Sequence, residues 1–240
     1  MANPDNYTVQ NRMLRELHKE RLARIESHSE KAFVKYGDEG LWLKELKGKA
    51  LGTQRWASGD KFATMLGSHG RYEELDHFFQ SCVNGVELGC GVGVAGLMLA
   101  KMKPELRMTL TDLPECIPLA KENVDYNNLN DRVAVVPYSW GAPVDQFQAN
   151  PPDLILATDV LYHHHLFDPF LCSLEAFAAL REDKSIKVAI AYQPRTGDDR
   201  SFVQNVLLPR LDNVSAVEYE DPGIGSSTRC VVFLGQMQVS

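Results

Sequence analysis

The chain has 240 residues, of which 44% are hydrophobic and 24% are charged, and its formal net charge is -7. This composition is typical of a folded globular protein, because disordered chains contain fewer apolar residues and collagen-like chains contain far more glycine and proline. The acidic balance argues against a general nucleic-acid binder, which shows a basic excess. We therefore expect no direct contact with nucleic acid.

The apolar pattern offers neither a membrane span nor a secretory signal. The longest nearly apolar run, residues 92–100, falls well short of the roughly 20 residues that cross a bilayer. The five cysteines are odd in number and form no C-x-x-C pair, which is typical of reduced thiols. We expect a soluble protein of the cytoplasm, with the nucleus as the alternative, and no membrane partner.

Residues 1–50 differ in texture from the rest of the chain. The region 10–25 is rich in good helix formers. Its apolar residues recur with the period of one helix face, at Leu14, Leu17, Leu22 and Ile25. We predict an N-terminal helical extension over 1–50 that packs on the following domain or contacts a partner or a second copy of the chain. The domain itself is predicted over 51–240.

From residue 85 onward, short apolar runs alternate with helical stretches. Strands are predicted at 85–88, 107–111, 133–136, 154–158 and 186–192, and helices at 93–103, 114–127, 166–180 and 199–208. This alternation predicts parallel strands joined by right-handed crossovers. Two further strand-like runs, 214–219 and 230–236, lie too close together for a crossover helix and predict an antiparallel hairpin. The expected fold is an α/β, Rossmann-like, doubly wound seven-stranded sheet.

A glycine-rich loop lies where the first of these strands meets its helix, in the sequence Glu87-Leu88-Gly89-Cys90-Gly91-Val92-Gly93. Glycines here allow a tight bend and a close approach of a ligand to the backbone. Gly91, Gly93 and Gly96 satisfy the dinucleotide pattern G-x-G-x-x-G. Gly89, Gly91 and Gly93 satisfy instead the G-x-G-x-G loop of S-adenosylmethionine enzymes, which an acidic residue precedes.

Asp112 ends the second predicted strand, where a carboxylate can accept both ribose hydroxyls of an adenosine cofactor. Loop and acid together indicate such a cofactor. The C-terminal hairpin favours the methyl donor over a nicotinamide, because dinucleotide domains run to six parallel strands. An NAD-binding oxidoreductase remains as the second interpretation.

Four blocks of sequence then resemble one family, the seven-β-strand protein-lysine methyltransferases with a D-x-x-Y motif. They are Gly52 to Gly59, Glu87 to Gly93, Ser139-Trp140-Gly141 and Asp153 to Tyr162. The resemblance covers residue 52 to the C-terminus, and it implies S-adenosylmethionine as the cofactor. It places Trp56 at the methionine end, Asp112 on the ribose, Trp140 over the adenine and Thr158 beside the methyl group. The cofactor contacts that it implies are Trp56, Glu87, Gly89, Cys90, Gly91, Gly93, Asp112, Leu113, Trp140 and Thr158.

The D-x-x-Y motif supplies the candidate catalytic residues, Asp159 and Tyr162. A lysine side chain has a pKa of about 10.4 and attacks only as the neutral amine. A carboxylate can orient that amine, and an aromatic ring adds cation–π attraction and walls the channel. The partner implied is a protein that carries the target lysine.

Other chemistries fit the sequence less well. The run His163-His164-His165 cannot turn three side chains toward one ion on a regular helix or strand, so we expect no metal. Arginine methyltransferases carry two glutamates after the fourth strand, and residues 159–170 contain none. The alternatives that stay open are methylation of a small-molecule amine or a protein N-terminus, and a non-catalytic scaffold.

Overall fold

The computed structural model describes residues 31–46, 51–219 and 230–239. Its strands, in chain order, are β1 (Ala32–Tyr36), β2 (Glu39–Leu43), β3 (Asn84–Leu88), β4 (Arg107–Asp112), β5 (Val133–Pro137), β6 (Leu154–Thr158), β7 (Ser185–Tyr192), β8 (Leu211–Glu218) and β9 (Val231–Gln238). Its helices are α1 (Ala57–Leu66), α2 (Glu73–Phe79), α3 (Val94–Met102), α4 (Ile117–Tyr126), α5 (Phe167–Ala179) and α6 (Gly197–Phe202). Within these ranges, no helix combines the length and the apolar character needed to span a bilayer.

Seven of the strands form one sheet in the order β5-β4-β3-β6-β7-β9-β8. The first five in this order are parallel, whereas β9 runs antiparallel to both β7 and β8. The chain moves outward from β3 to β5 and returns to the other side of β3 at β6. Loops that follow β3 and β6 therefore diverge and open a crevice at the carboxyl ends of the strands. The predicted α/β fold class and its C-terminal hairpin are confirmed.

Both faces of the sheet are buried. In β6, Leu154 and Leu156 belong to a core shared with the β1–β2 hairpin and helices α1 to α4. Ile155 and Ala157, which point the other way, belong to a second core shared with α5 and α6. Burial on both faces explains why the central strand β6 is an almost continuous apolar run instead of alternating with polar residues.

Residues 31–46 form the β1–β2 hairpin, although they belong to the segment for which a helical extension is predicted. Tyr36 and Leu41 are buried in the same core as helices α1 and α3. Gly37 in the connecting turn has a φ of 62°, a conformation that glycine adopts at little cost. This part of the chain therefore packs on the α/β unit as a hairpin.

The remaining expectations about the N-terminal region are untested. The helix expected at 10–25 lies outside the described residues, and the domain division at residue 50 stays a prediction. Helices α1 and α2, which are not among the predicted elements, fill the interval between the hairpin and β3.

Asn123, on α4, connects the hairpin segment to the glycine-rich loop. Its side chain is buried. The amide oxygen accepts a hydrogen bond of 2.8 Å from the backbone N–H of Lys44. The amide nitrogen donates to the carbonyl of Lys44 at 3.1 Å and to that of Val92 at 2.9 Å. A single side chain thus holds the segment that follows β2 and the loop that follows β3 in fixed relation.

Replacing Asn123 by alanine leaves the buried carbonyl of Val92 without this donor. A buried polar group that loses its partner costs roughly 1–3 kcal/mol, so we expect urea unfolding to show a loss of about 2 kcal/mol in stability. The exposed Asn130→Ala variant is the matched control and is expected to stay within about 0.5 kcal/mol of the wild type. Equal stabilities for the two variants would contradict the connecting role of Asn123.

Candidate active site

A cavity of about 520 Å³ opens at the carboxyl ends of β3, β4 and β6. Its volume is within the range of small-molecule sites, roughly 300–1,000 Å³. The predicted site residues in its wall are Trp56, Gly89, Cys90, Gly91, Asp112, Leu113, Trp140, Thr158, Asp159 and Tyr162. The structure thus brings together residues from five separate stretches of the sequence.

The glycine-rich loop curls over the end of β4. The backbone N–H groups of Gly89 and Cys90 both donate to the carbonyl of Thr111, at 2.9 Å each. Gly89 has a φ of 74°, and a Cβ atom at this position would lie 2.9 Å from Cζ2 of Trp140. Position 89 therefore requires glycine both for its backbone conformation and for its contact with the indole.

Asp112 lies next to this loop. Its Oδ2 accepts from the N–H of Gly91 and its Oδ1 from the N–H of Leu113, both at 2.7 Å. Burial raises the pKa of its carboxyl, whereas the two amide hydrogen bonds oppose the rise. Each carboxylate oxygen has a second lone pair, so Asp112 can still accept hydrogen bonds from ligand hydroxyls.

Two predicted cofactor contacts, Glu87 and Gly93, are not in the cavity wall. Glu87 is fully buried behind the loop, where its Oε2 accepts a hydrogen bond of 3.0 Å from the N–H of Gly96. Its Oε1 has no hydrogen-bond partner within the described ranges. Burial raises the pKa of Glu87 to about 8, so the carboxyl is mostly protonated at neutral pH. Gly93, with a φ of 84°, precedes helix α3. Both residues shape the loop from behind.

Trp140 forms another part of the cavity wall. Its indole packs against Phe170 with ring centroids 5.3 Å apart and planes tilted by 66°. The next residue, Gly141, donates its N–H to Oγ of Ser173 at 2.8 Å. Trp140 remains partly exposed toward the cavity, so it can offer an aromatic surface to a ligand.

Asp159 follows the last residue of β6 in a left-handed backbone conformation with a φ of 60°. Its N–H donates to the carbonyl of Ala191 at 3.1 Å, which keeps the turn against β7. Its side chain is only 6% exposed and forms an ion pair with Arg195, whose Nη2 lies 2.5 Å from Oδ2. The turn thus directs a carboxylate into the cavity instead of toward solvent.

Tyr162 lies near Asp159 at the rim, and its side chain is partly exposed. Burial raises the pKa of its phenol, and the charges of Asp112 and Asp159 add to the effect. The phenol therefore stays protonated at neutral pH and cannot serve as a base there. The ring of His163 lies 4.9 Å from that of Tyr162 and stacks on His165 at 5.3 Å. These histidines are exposed, and no described group of three potential ligands is arranged around a metal position.

Arg195 and Arg55 also contribute to the cavity wall, although neither is among the residues predicted from the sequence. Arg195 lies three residues past the end of β7, so the rule that ligands bind at the carboxyl ends of parallel strands would have pointed to it. Arg55 Nη1 contacts the hydroxyl of Tyr36 at 3.3 Å and Oδ2 of Asp60 at 3.2 Å. Arg55 thereby ties the N-terminal hairpin to helix α1, beside the predicted site residue Trp56.

Comparisons with known proteins agree with this geometry. A family model described as lysine methyltransferase matches residues 35–208. The chain is 30% identical over 140 residues to protein N-lysine methyltransferase METTL21A of Mus musculus, covering 57% of this chain and 61% of that protein. It is 29% identical over 115 residues to histone-arginine methyltransferase METTL23 of Homo sapiens, covering 47% and 59%. The chain spans about half to three fifths of the length of the relatives that it matches.

A crystal structure of a putative transferase from Pyrococcus horikoshii has the same fold. It superposes with a TM-score of 0.51 at 12% sequence identity, over 88% of this chain and 74% of that one. Identity this low supports a common fold and no more. The family model, in contrast, matches well over half of the sequence, including the glycine-rich loop, Trp140 and the D-x-x-Y segment. The chain therefore belongs to the lysine methyltransferase family.

Proposed function

We propose that this protein transfers a methyl group from S-adenosylmethionine to the side-chain amine of a lysine in a protein substrate. One observation carries the proposal: the carboxylate of Asp159 and the ring of Tyr162 share a single cavity with a glycine loop and Asp112. Asp159 and Tyr162 can bind an amine, and the glycine loop and Asp112 can bind an adenosine cofactor. A cavity that binds both molecules can support the transfer of a methyl group from the cofactor to the amine.

The residues present fit S-adenosylmethionine. Gly89 leaves space where any side chain would collide with Trp140, and Asp112 has free lone pairs for the ribose hydroxyls. The partly exposed Trp140 can stack on the adenine, and Leu113 adds apolar surface beside the ribose. Cys90, Gly91, Trp56 and Thr158 complete the proposed contacts. When bound, the cofactor supplies an electrophilic methyl group on a sulfonium.

The protein's own task is to hold a neutral amine in line with that methyl group. Asp159 accepts a hydrogen bond from the lysine amine and orients its lone pair. Tyr162 attracts the incoming ammonium through its ring and narrows the channel. Removal of the ammonium from water lowers its pKa and favours the neutral form. The proton passes from the lysine Nζ to water, since the phenol of Tyr162 is already protonated.

The family description indicates lysine as the substrate. Of the two relatives reported above, one is named as a protein N-lysine methyltransferase and the other as a histone-arginine methyltransferase. The absence of glutamates between residues 159 and 170 favours lysine. Small-molecule amines and protein N-termini are the competing substrates. The sequence pattern supports the cytoplasm as the compartment, with the nucleus as the alternative.

The proposal is tested by incubating the chain with a cell extract and S-adenosylmethionine labelled in its methyl group. Acid hydrolysis and amino-acid analysis of the labelled proteins then identify the modified residue. We expect label in methylated lysine. Label in methylated arginine, in a free small molecule or at a protein N-terminus would replace the lysine assignment by that substrate.

The Gly89→Ala variant tests the cofactor loop. A left-handed conformation costs a residue with a Cβ roughly 1–2 kcal/mol, and the added atom would also press on Trp140. We expect calorimetry to show about tenfold or greater loss of affinity for S-adenosylhomocysteine, since 1.4 kcal/mol is tenfold. Gly197→Ala is the matched control, because a Cβ at that position has no heavy atom within 4 Å. Equal affinities for the two variants would show that the loop does not cradle the cofactor.

The Asp159→Asn variant tests the proposed orientation of the amine. Asparagine tolerates the left-handed backbone at this position, whereas alanine would add strain that confuses the result. We expect methyl transfer to fall about 100-fold or more, because asparagine lacks the charge that holds the ammonium and a misplaced reactant costs on the order of 100-fold in rate. Affinity for S-adenosylhomocysteine is expected to stay within about twofold of the wild type. Methyl transfer at the wild-type rate would remove Asp159 from the mechanism.

Two substitutions separate the ring of Tyr162 from its hydroxyl. Tyr162→Phe keeps the aromatic surface. We therefore expect its initial rate of methyl transfer to the protein that accepts the label in the extract to stay within about threefold of the wild type. Tyr162→Ala loses a cation–π contact of roughly 0.5–2 kcal/mol, which corresponds to a rate at limiting acceptor about 2- to 30-fold lower. An equal, large loss in both variants would assign the role to the hydroxyl instead of the ring.

A further inference from the structure

The guanidinium of Arg195 lies between two groups that attract cations. Its Nη2 contacts Oδ2 of Asp159 at 2.5 Å, and its Cζ lies 5.8 Å from the ring centroid of Trp56. We call the space bounded by these two side chains, Asp159 and Trp56, the cation site. A carboxylate and an aromatic face are also what a lysine ammonium requires.

The side chain of Arg195 is held only at this one place. Within the described part of the chain, the guanidinium of Arg195 donates hydrogen bonds only to Asp159. Its side chain is 34% exposed, so water can solvate the guanidinium if it swings outward. Arg55, by contrast, contacts Tyr36, Asp60 and Glu45 together. Arg195 can therefore leave without breaking other protein hydrogen bonds.

The backbone of Arg195, unlike its side chain, is fixed. Its N–H donates to Oδ2 of Asp199 at 2.9 Å, and the next N–H, of Thr196, donates to the same oxygen at 3.0 Å. Asp199 is buried and also accepts from the hydroxyl of Tyr192 at 2.8 Å. The anchor keeps the start of the arginine side chain next to the cavity, so the guanidinium can return after the substrate leaves.

We propose that Arg195 is a placeholder, which fills the cation site in the substrate-free enzyme and which the substrate ammonium must displace. This inference rests on the proposed function, because it assigns to that cation site the amine that the reaction methylates. Two cations side by side against one nearly buried carboxylate would repel each other. A carboxylate so far out of water is costly without a cationic partner, and the placeholder supplies one between turnovers.

Because the substrate binds only when the cation site is free, the placeholder multiplies the apparent association constant of the substrate by the fraction of enzyme whose cation site is free. We therefore expect the Arg195→Ala variant to bind a primary ammonium more tightly than the wild type does. For a partly exposed ion pair, the affinity should rise about three- to tenfold. If Arg195 instead served to fix Asp159 for catalysis, the opposite result would be expected, because its removal would disorder the carboxylate and weaken binding.

The test uses n-butylammonium, a model of the lysine side chain, with S-adenosylhomocysteine present at saturation. Binding is followed in NMR spectra by the indole N–H resonance of Trp56, one of three tryptophans, which a Trp56→Phe spectrum assigns. We expect a dissociation constant in Arg195→Ala about three- to tenfold below that of the wild type. Arg200→Ala removes an equal charge from an exposed position nearby and is expected to match the wild type. An unchanged or larger dissociation constant in Arg195→Ala would overturn the placeholder.

Steady-state kinetics of methyl transfer to the protein that accepts the label in the extract provide a second readout. Arg195→Ala is expected to lower KM and to leave kcat within about twofold, while Arg195→Lys, which keeps a cation at the cation site, stays near the wild-type KM. A fall in kcat with unchanged KM would instead make Arg195 a positioning residue for Asp159. Calorimetry with S-adenosylhomocysteine tests the proposed function separately. If the wild-type protein does not bind this ligand, the proposed cofactor is wrong, whether or not n-butylammonium binds.

Discussion

The rest of the site depends on the carboxylate of Asp159, which lies almost out of water at the end of β6. A carboxylate in such surroundings needs a cation or hydrogen-bond donors beside it. In the structure Arg195 supplies the cation, and in the proposed reaction the substrate ammonium supplies it on entry. The left-handed turn at Asp159 keeps the carboxylate inside the cavity, and its hydrogen bond to β7 fixes the turn.

Three acidic residues near the cavity show how surroundings assign different roles to one chemical group. Glu87 is fully buried, mostly protonated at neutral pH, and packed behind the glycine loop. Asp112 is partly buried, and two backbone N–H groups hold its carboxylate and leave lone pairs for a ligand. Asp159 is paired with a movable cation. One acid shapes the loop, the second suits hydroxyl groups, and the third suits an amine.

The parallel sheet was predictable because short apolar runs alternate with helical stretches, and burial on both faces makes a central strand such as β6 almost continuously apolar. Strand β6 has the expected bounds, residues 154–158, and the loops that follow β3, β4 and β6 line one cavity, as the topology requires. The β1–β2 hairpin was missed because β1 buries only its last residue, Tyr36, and exposed positions of both strands carry apolar groups, Phe33 and Trp42. Helix α1 was missed since Trp56, at its N-cap, makes no side-chain capping bond.

The site was predictable where a motif names the residue and hidden where only folding brings it near. Gly89, Asp112 and Asp159 stand at strand ends that the sequence pattern marks. Glu87 belongs to the same motif, yet strand alternation turns it away from the cavity and into the core. Arg195 carries no motif of its own, and only the pairing of β6 with β7 brings it to Asp159.

A crystal structure of the chain with S-adenosylhomocysteine bound would test the role of Asp159 most directly. We expect the adenine against Trp140, the ribose hydroxyls on Asp112 and the sulfur directed toward the cation site formed by Asp159 and Trp56. A ligand bound with its sulfur directed away from Asp159, or bound outside this cavity, would contradict the assignment of Asp159 to methyl transfer.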